Sequence, residues 1–310
     1  MRLGCVLVLC CLLVGCGSEP RTAEIGPKLY LAGDKELWVV DADSGRVWHR
    51  FSSQLASGDP PHKVLARGNR VVMGTPFGDR AIFLPSARRD RVWVVDLRSS
   101  SGTAFAVREV TVDGETTVAA RRTPNPRWPL GAVRDGLLLE GNGQVMVWDP
   151  RTDRVVHHLA VPAGLMGPAA GDVVTACVDA YCPVLRLIDI RSGRVRVARA
   201  PSHTAFEPWA GAFSPDGGLL AVPLRGPGQP GTAPRQLALI DVPTGRVAVV
   251  PGSGVPAGYT LVAWSASGNH VFITGGDRGG RRVLVGYRLG TLRARTLNVR
   301  VGDFYDFAAI

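Results

Sequence analysis

The chain has 310 residues and carries 36 Lys and Arg against 26 Asp and Glu, a formal net charge of +10. Lysine occurs only at Lys28, Lys35 and Lys63, so arginine supplies nearly all the positive charge and is spread along the whole chain. With no polybasic cluster and no nucleic-acid-binding motif, nucleic acid is excluded as a partner, and the scatter reads as a device for solubility.

At the N-terminus, Met1-Arg2 supplies one positive charge, and Leu3 to Val14 is an almost unbroken apolar run that ends in the small residue Gly15. This is the plan of a signal peptide. At ~1.5 Å per helical residue the run falls short of a bilayer core, which needs roughly 20 residues. It is not expected to stay as a spanning helix. Leu13-Val14-Gly15-Cys16 resembles a lipobox, the motif at which bacteria attach diacylglycerol to a cysteine and cut just before it. The resemblance implies a lipoprotein signal peptide over 1–15, a lipidated Cys16 with a tether over 16–28, and one folded domain over 29–310. Gly17-Ser18-Glu19-Pro20 continues as the flexible polar spacer such an anchor requires. An acyl chain holds a protein at a membrane without spanning it, so the expected address is the outer face of the cytoplasmic membrane. The preference for arginine over lysine, with abundant Ala, Gly and Val, points to a GC-rich, actinobacterial source. Without Arg2 the mature chain keeps a charge of +9, which anionic head groups or acidic wall polymers attract.

Beyond the tether one phrase recurs. Its copies are Leu37–Val47 (LWVVDADSGRV), Val92–Ser100 (VWVVDLRSS), Val145–Val155 (VMVWDPRTDRV), Leu185–Val195 (LRLIDIRSGRV) and Leu237–Val247 (LALIDVPTGRV), with a degenerate sixth at Val283–Tyr287 (VLVGY). Asp41, Asp96, Asp149, Asp189, Asp241 and Tyr287 follow one another at intervals of 55, 53, 40, 52 and 46 residues. Four apolar residues in a row predict a strand buried on both faces, since a half-exposed strand would alternate. The Asp then accepts backbone N–H bonds in a tight turn, and Gly45, Gly193 or Gly245 takes a positive φ where a side chain would clash. Arg-Val opens the return strand, so each phrase predicts a hairpin.

A second strand pair precedes most hairpins: Lys63 to Met73, Leu130 to Glu140, Ala169 to Cys177, Ala212 to Val222 and Ala263 to Thr274. Turns such as Ser214-Pro215-Asp216-Gly217 join their halves. Pair plus hairpin makes a four-stranded antiparallel blade, and no stretch has helical periodicity. The Phe-Ser-Pro-Asp-Gly turn at Phe213–Gly217 and the apolar-strand–Asp–x–x–Ser/Thr–Gly hairpins resemble WD-repeat and YVTN-type β-propellers. Asp41–Trp48 is also similar to the repeat of quinoprotein-like propellers, though the other copies lack its Trp. The resemblance implies an all-β propeller of six blades, or seven if one has drifted beyond recognition between Gly102 and Pro129. Blade one lacks its first strand at the N-terminus, so Asp303–Ile310 is expected to supply it and close the ring.

Catalytic signatures are missing from the text of the chain. The histidines His49, His62, His157, His158, His203 and His270 show no metal-ligand spacing, and His157 and His158, adjacent in a strand, point to opposite faces. Gly226–Gly231 matches G-x-G-x-x-G only as text, because its prolines and its place between strands deny it a strand-to-helix turn. The repeated aspartates are read as structural, and Trp38, Trp93 and Trp148 as core. Of the six cysteines, Cys5, Cys10 and Cys11 fall in the removed segment and Cys16 carries lipid. Cys177 and Cys182 remain, and export to an oxidising compartment favours a disulfide between them over a metal site, for which two thiols supply half the ligands.

The expected function is that of a lipid-anchored binding or scaffolding module presenting a loop face to a protein, peptide or wall glycan, with no cofactor. The alternative is a propeller enzyme using the central funnel, as a lactonase-like hydrolase with a metal or a quinoprotein-like dehydrogenase. Its ligands would converge from several blades.

Overall fold

A computed structural model describes residues 27–33, 36–52, 63–67, 70–74, 81–88, 90–96, 104–113, 115–124, 128–161, 166–179, 181–226, 233–276, 282–299 and 304–310. Cys16, the expected signal peptide, His62 and most of Gly226–Gly231 lie outside these residues.

Six sheets of four antiparallel strands stand in a ring. Blade 1 is built from β1 (Lys28–Gly33), β2 (Glu36–Asp41), β3 (Val47–Ser52) and the C-terminal strand β27 (Phe304–Ala309). Between it and the next blade lies a separate two-stranded hairpin, β4 (Lys63–Arg67) with β5 (Arg70–Gly74). Blade 2 contains β6 (Ala81–Pro85), β7 (Arg91–Asp96), β8 (Ala106–Thr111) and β9 (Thr116–Arg122). Blade 3 contains β10 (Trp128–Val133), β11 (Gly136–Gly141), β12 (Gln144–Asp149) and β13 (Arg154–Leu159). Blade 4 follows with β14 (Met166–Ala170), β15 (Val173–Cys177), β16 (Val184–Asp189) and β17 (Val195–Arg199). In blade 5 a 3-10 turn at Pro208–Ala210 splits the first strand into β18 (Ala205–Phe206) and β19 (Ala212–Phe213). Both halves pair with β20 (Leu219–Arg225), which leads to β21 (Arg235–Asp241) and β22 (Val247–Val249). Blade 6 is β23 (Leu261–Trp264), β24 (His270–Gly275), β25 (Val283–Arg288) and β26 (Arg295–Leu297).

The first strands touch from sheet to sheet, β10 against β14, β14 against β19, β19 against β23 and β23 against β27, and so form the inner wall of the ring. The ring closes as expected: β27 pairs antiparallel with β1, with Leu29 opposite Ala309 and Leu31 opposite Phe307. A chain end thereby covers what would be an open sheet edge.

The four-residue apolar runs of blades 1, 2 and 3 are buried on both sides, because each sheet is sandwiched between its neighbours. Leu37–Val40, Val92–Val95 and Val145–Trp148 are buried throughout. The core is accordingly a set of clusters between blades. One joins Trp93 and Val95 of blade 2 to Leu137, Leu139 and Trp148 of blade 3, and another joins Leu29, Trp38 and Val40 of blade 1 to Phe272 and Leu284 of blade 6. Full burial of one such side chain stabilises by about 1.5–3 kcal/mol, so the seams between blades hold the ring together.

Blade 2 departs from the reading of the sequence. The pair Lys63–Met73 does not open this blade but forms the separate β4–β5 hairpin, and the phrase strand β7 is second in its sheet instead of third. The stretch from Gly102 to Pro129, weighed as a lost blade, holds β8, β9 and the start of β10. β9 is almost wholly exposed and β8 alternates, so neither carries the unbroken apolar run by which the other strands declare themselves.

Candidate binding face

Asp41, Asp149, Asp189 and Asp241 each open a tight turn. Asp41 Oδ1 accepts from the N–H groups of Asp43 at 3.0 Å and Ser44 at 2.6 Å, and Asp189 Oδ1 accepts from Arg191 at 3.1 Å and Ser192 at 2.8 Å. The Ser192 N–H holds the Asp189 carboxyl below the usual carboxylate range. Asp241 accepts from Thr244 N at 2.8 Å, and Asp149 from Arg151 N at 3.0 Å. Gly45, Gly193 and Gly245 adopt φ of 71°, 68° and 75°, and Asp153 takes the corresponding place in blade 3 at 58°. The turn after Asp96 lies outside the described residues. In the other four phrases with an Asp the residue ends the third strand, so these turns share one end of the ring.

The opposite end is different in kind. There the second strand of a blade ends, the third begins, and the antiparallel first strand starts. Trp128 opens β10 opposite Glu140, Tyr181 sits between β15 and β16, and Tyr259 precedes β23; Trp209 lies in the 3-10 turn between β18, opposite Leu224 and Arg225, and β19, opposite Leu220 and Ala221, and so stands beside the middle of β20. Trp128, Tyr181, Tyr259 and Trp209 are 45%, 48%, 38% and 65% exposed, and Trp48 on the outer strand of blade 1 is 43% exposed, whereas Trp38, Trp93, Trp148 and Trp264 are buried. Aromatic side chains bury large areas and are over-represented at the energetic centres of interfaces, so Trp128, Tyr181 and Tyr259, open to water at one end of a rigid disc, mark a surface suited to a partner.

The best-defined part of this face joins blades 4 and 5. Cys177 and Cys182 lie at disulfide bonding distance, with Cα atoms 5.1 Å apart, and close a short turn. Asp179 Oδ1 accepts from Tyr181 N at 2.9 Å and Cys182 N at 2.8 Å, and Cys182 carries a positive φ of 56°. The Cys182 carbonyl accepts from Phe206 N of blade 5 at 3.0 Å, so the turn is tied across the seam. It offers Tyr181, against whose ring the Arg225 guanidinium rests at 4.9 Å from the centroid. Arg225 is buried while the ring is half exposed, so the cation backs one side of the ring and leaves area for a ligand.

Arg235, the cross-strand neighbour of Arg225, is buried with Glu207. Its Nε donates to Glu207 Oε2 at 2.9 Å and its Nη2 to Oε1 at 2.8 Å, a bidentate pair, and a further N–H reaches the Ala233 carbonyl. The planar fork matches the carboxylate and fixes the start of the turn that carries Trp209. Elsewhere on the face, Arg282 lies between Tyr259 and Phe304, 5.2 Å from each centroid, and Phe105 meets Trp128 edge-on at 4.9 Å. A guanidinium thus lies against two of these rings, Tyr181 and Tyr259.

The sequence reading singled out none of Tyr181, Trp209, Trp128 or Tyr259. The available signal was an aromatic residue placed outside an apolar strand run and beside Pro or Cys, as in Tyr181-Cys182-Pro183 and Pro208-Trp209. Of the histidines, His157 is half-buried and His158 exposed on β13, and His203 adopts a φ of 63° in a turn. Among the described residues, no three His, Cys, Asp or Glu side chains lie close enough together to hold a metal ion.

No family model matches the chain, and no curated protein matches it. Among solved structures it is similar to TolB from Acinetobacter baumannii, at 14% identity and a TM-score of 0.53, over 93% of this chain and 67% of that one. It is also similar to a 6-phosphogluconolactonase-like protein from Bacteroides fragilis, at 11% identity and a TM-score of 0.54, over 94% of this chain and 100% of the other. At such identities the likeness speaks for the fold alone. The chain is a six-bladed β-propeller.

Proposed function

We propose that the protein is a lipid-anchored binding module, tethered through Cys16 outside the cytoplasmic membrane, whose aromatic face engages a protein, peptide or wall-glycan partner. The observation that carries this reading is the gathering of Trp128, Tyr181 and Tyr259, all exposed, at one end of the ring. The lipobox-like Leu13–Cys16 supports the anchor, and the Cys177–Cys182 pair suits an oxidising, exported compartment. The arginine-rich composition supports an actinobacterial envelope as the setting.

The test places a photo-crosslinking amino acid at Trp128 in the full-length protein in its own cells, with Val195 on the outer strand of blade 4 as the control position. A crosslinked adduct from position 128 that weakens with Tyr181→Ala is the expected result. Equal yields from the two positions would overturn the reading. In parallel, Cys16→Ser is expected to move the protein out of the membrane fraction. For the enzyme alternative, elemental analysis and an absorbance spectrum of the purified protein decide: a stoichiometric metal or quinone would shift the assignment to the funnel.

A further inference from the structure

Arg225 ends β20 at the aromatic end of the ring, and the residue paired directly with it on β21 is Arg235. Arg235 has its carboxylate in Glu207, and Arg225 has none among the described residues. We propose that Arg225 receives a carboxylate carried by the partner of the aromatic face, from an acidic side chain or a chain terminus, with the Tyr181 ring as the wall beside it. The site lies on that face, so the proposal rests on the face being a binding surface.

The register of blade 5 leaves this cation without a counter-charge. Residues directly opposite in an antiparallel pair point to the same side of the sheet, so Arg225 and Arg235 start side by side, an arrangement that like charge makes unfavourable. Both Glu207 oxygens are engaged by Arg235. On its other flank Arg225 is paired with Ala205 of β18, whose methyl group offers no acceptor. Asp179, in the turn that carries Tyr181, spends Oδ1 on the N–H groups of Tyr181 and Cys182 and forms no ion pair with Arg225. Two guanidiniums therefore share one carboxylate, and only one of them has it.

Arg225 is 8% exposed, so its charge is largely withdrawn from water, and among the described residues its guanidinium donates no hydrogen bond; what faces it is the Tyr181 ring, 4.9 Å away at the centroid. Its side-chain nitrogens still keep an edge open to solvent, through which a ligand can reach them. A desolvated cation without a counter-charge is costly, and a carboxylate set against it restores a pair of charge-assisted hydrogen bonds. The Arg235–Glu207 pair next to it shows the contact that this ladder favours. A single planar fork matches a planar carboxylate, whereas it would leave part of a phosphate's oxygens unserved. Tyr181, half exposed and held by the Cys177–Cys182 turn, keeps water from one side of the site, where such hydrogen bonds gain strength.

The test follows the Arg225 Nε–H and Tyr181 ring resonances of the full-length protein in detergent during titration with N-acetylglutamate α-methylamide, N-acetylalanine, inorganic phosphate and neutral N-acetylglutamine methylamide. Saturable shifts with Kd of about 50 mM or tighter are expected from at least one of the two carboxylates, weaker binding from phosphate, and no shift from the neutral amide. The tighter carboxylate identifies the source, an acidic side chain or a chain terminus. Arg225→Gln should abolish the Tyr181 shifts, while Arg194→Gln, which lowers the net charge equally at the aspartate end, should leave them unchanged. Stability separates a binding role from a structural one. Arg225→Met should keep or raise the Tm, because it removes a desolvated charge that lacks a counter-charge, whereas Arg235→Met should lower it by leaving Glu207 buried and alone. A fall for Arg225→Met as large as that for Arg235→Met would overturn the proposal, as would phosphate binding at least as tight as both carboxylates, or no saturable shift at all. Failed crosslinking at position 128 with these titrations intact would remove the partner surface and leave the Arg225 site; the reverse result would remove the Arg225 site alone.

Discussion

Arg151 Nη2 of blade 3 donates to Glu109 Oε1 of blade 2 at 2.8 Å, an ion pair across the seam between two blades. Glu109 is completely buried, and it also accepts from the Ser86 hydroxyl at 2.6 Å, the Thr117 hydroxyl at 3.0 Å and Arg91 at 3.3 Å. Arg151 in turn lies over the Trp93 ring, 5.3 Å from its centroid. A buried carboxylate is tolerated only when its oxygens are satisfied in this way, and here the satisfaction comes from both blades.

Burial by itself raises the Glu109 pKa, but the Ser86 hydrogen bond, the Arg151 charge and the Thr117 hydroxyl outweigh it and leave the group below its ordinary value. A carboxylate with a lowered folded pKa stabilises fully above its unfolded pKa of about 4.3, and that contribution is lost as the pH falls through the folded value. Glu109→Gln should therefore cost about 2 kcal/mol at pH 7, with a smaller difference from the parent as the pH drops below about 4. Urea unfolding at a series of pH values, followed by tryptophan fluorescence, measures this. A difference that grows on acidification would refute the assignment.

Closure through β27 predicts that the last residues stabilise the first blade from the far end of the chain. Phe307 is buried between blades 1 and 6, so Phe307→Ala should cost about 3–5 kcal/mol, whereas Leu292→Ala, at a residue 92% exposed, should stay within about 0.5 kcal/mol of the parent. Removal of 304–310 should strip β1 of its partner and abolish cooperative unfolding. Chemical denaturation of the three variants decides; a truncated chain that unfolds like the parent would exclude closure by this strand.

Two turn glycines with the same backbone shape should respond differently to the same change. Gly245 and Gly193 have φ of 75° and 68°, yet a Cβ at Gly245 would lie 2.7 Å from the Val197 carbonyl oxygen on blade 4, while one at Gly193 meets nothing within 4 Å. Gly193→Ala should cost only the left-handed strain, about 1 kcal/mol, and Gly245→Ala clearly more, because the turn of blade 5 must lift off its neighbour. Equal melting temperatures for the two variants would show that this approach is not held.

Much of the architecture was legible because each element announces itself locally. Leu37–Val40 or Val145–Trp148 must bury both faces, and only an unbroken apolar run does that; Asp189 followed by Gly193 fixes a turn within five residues. The blade 2 assignment failed where this local signal fades. The exposed Thr116–Arg122 has no apolar run, and Lys63–Met73 carries one that serves a separate hairpin.

From the sequence alone came the all-β class, the repeat, the position of the closing strand and the pairing of Cys177 with Cys182, all of which depend on patterns within a few residues or on the two chain ends. The tertiary structure decided what lies across the seams: Arg151 on Glu109, 42 positions apart, Arg295 on Ala42, 253 apart, and the collection of Trp128, Tyr181 and Tyr259 at one end of the ring. A strand pattern states which residues face a neighbouring blade, but not which residue of that neighbour stands opposite, because the register between blades is set by how sheets stack around the ring and not by any periodicity along the chain.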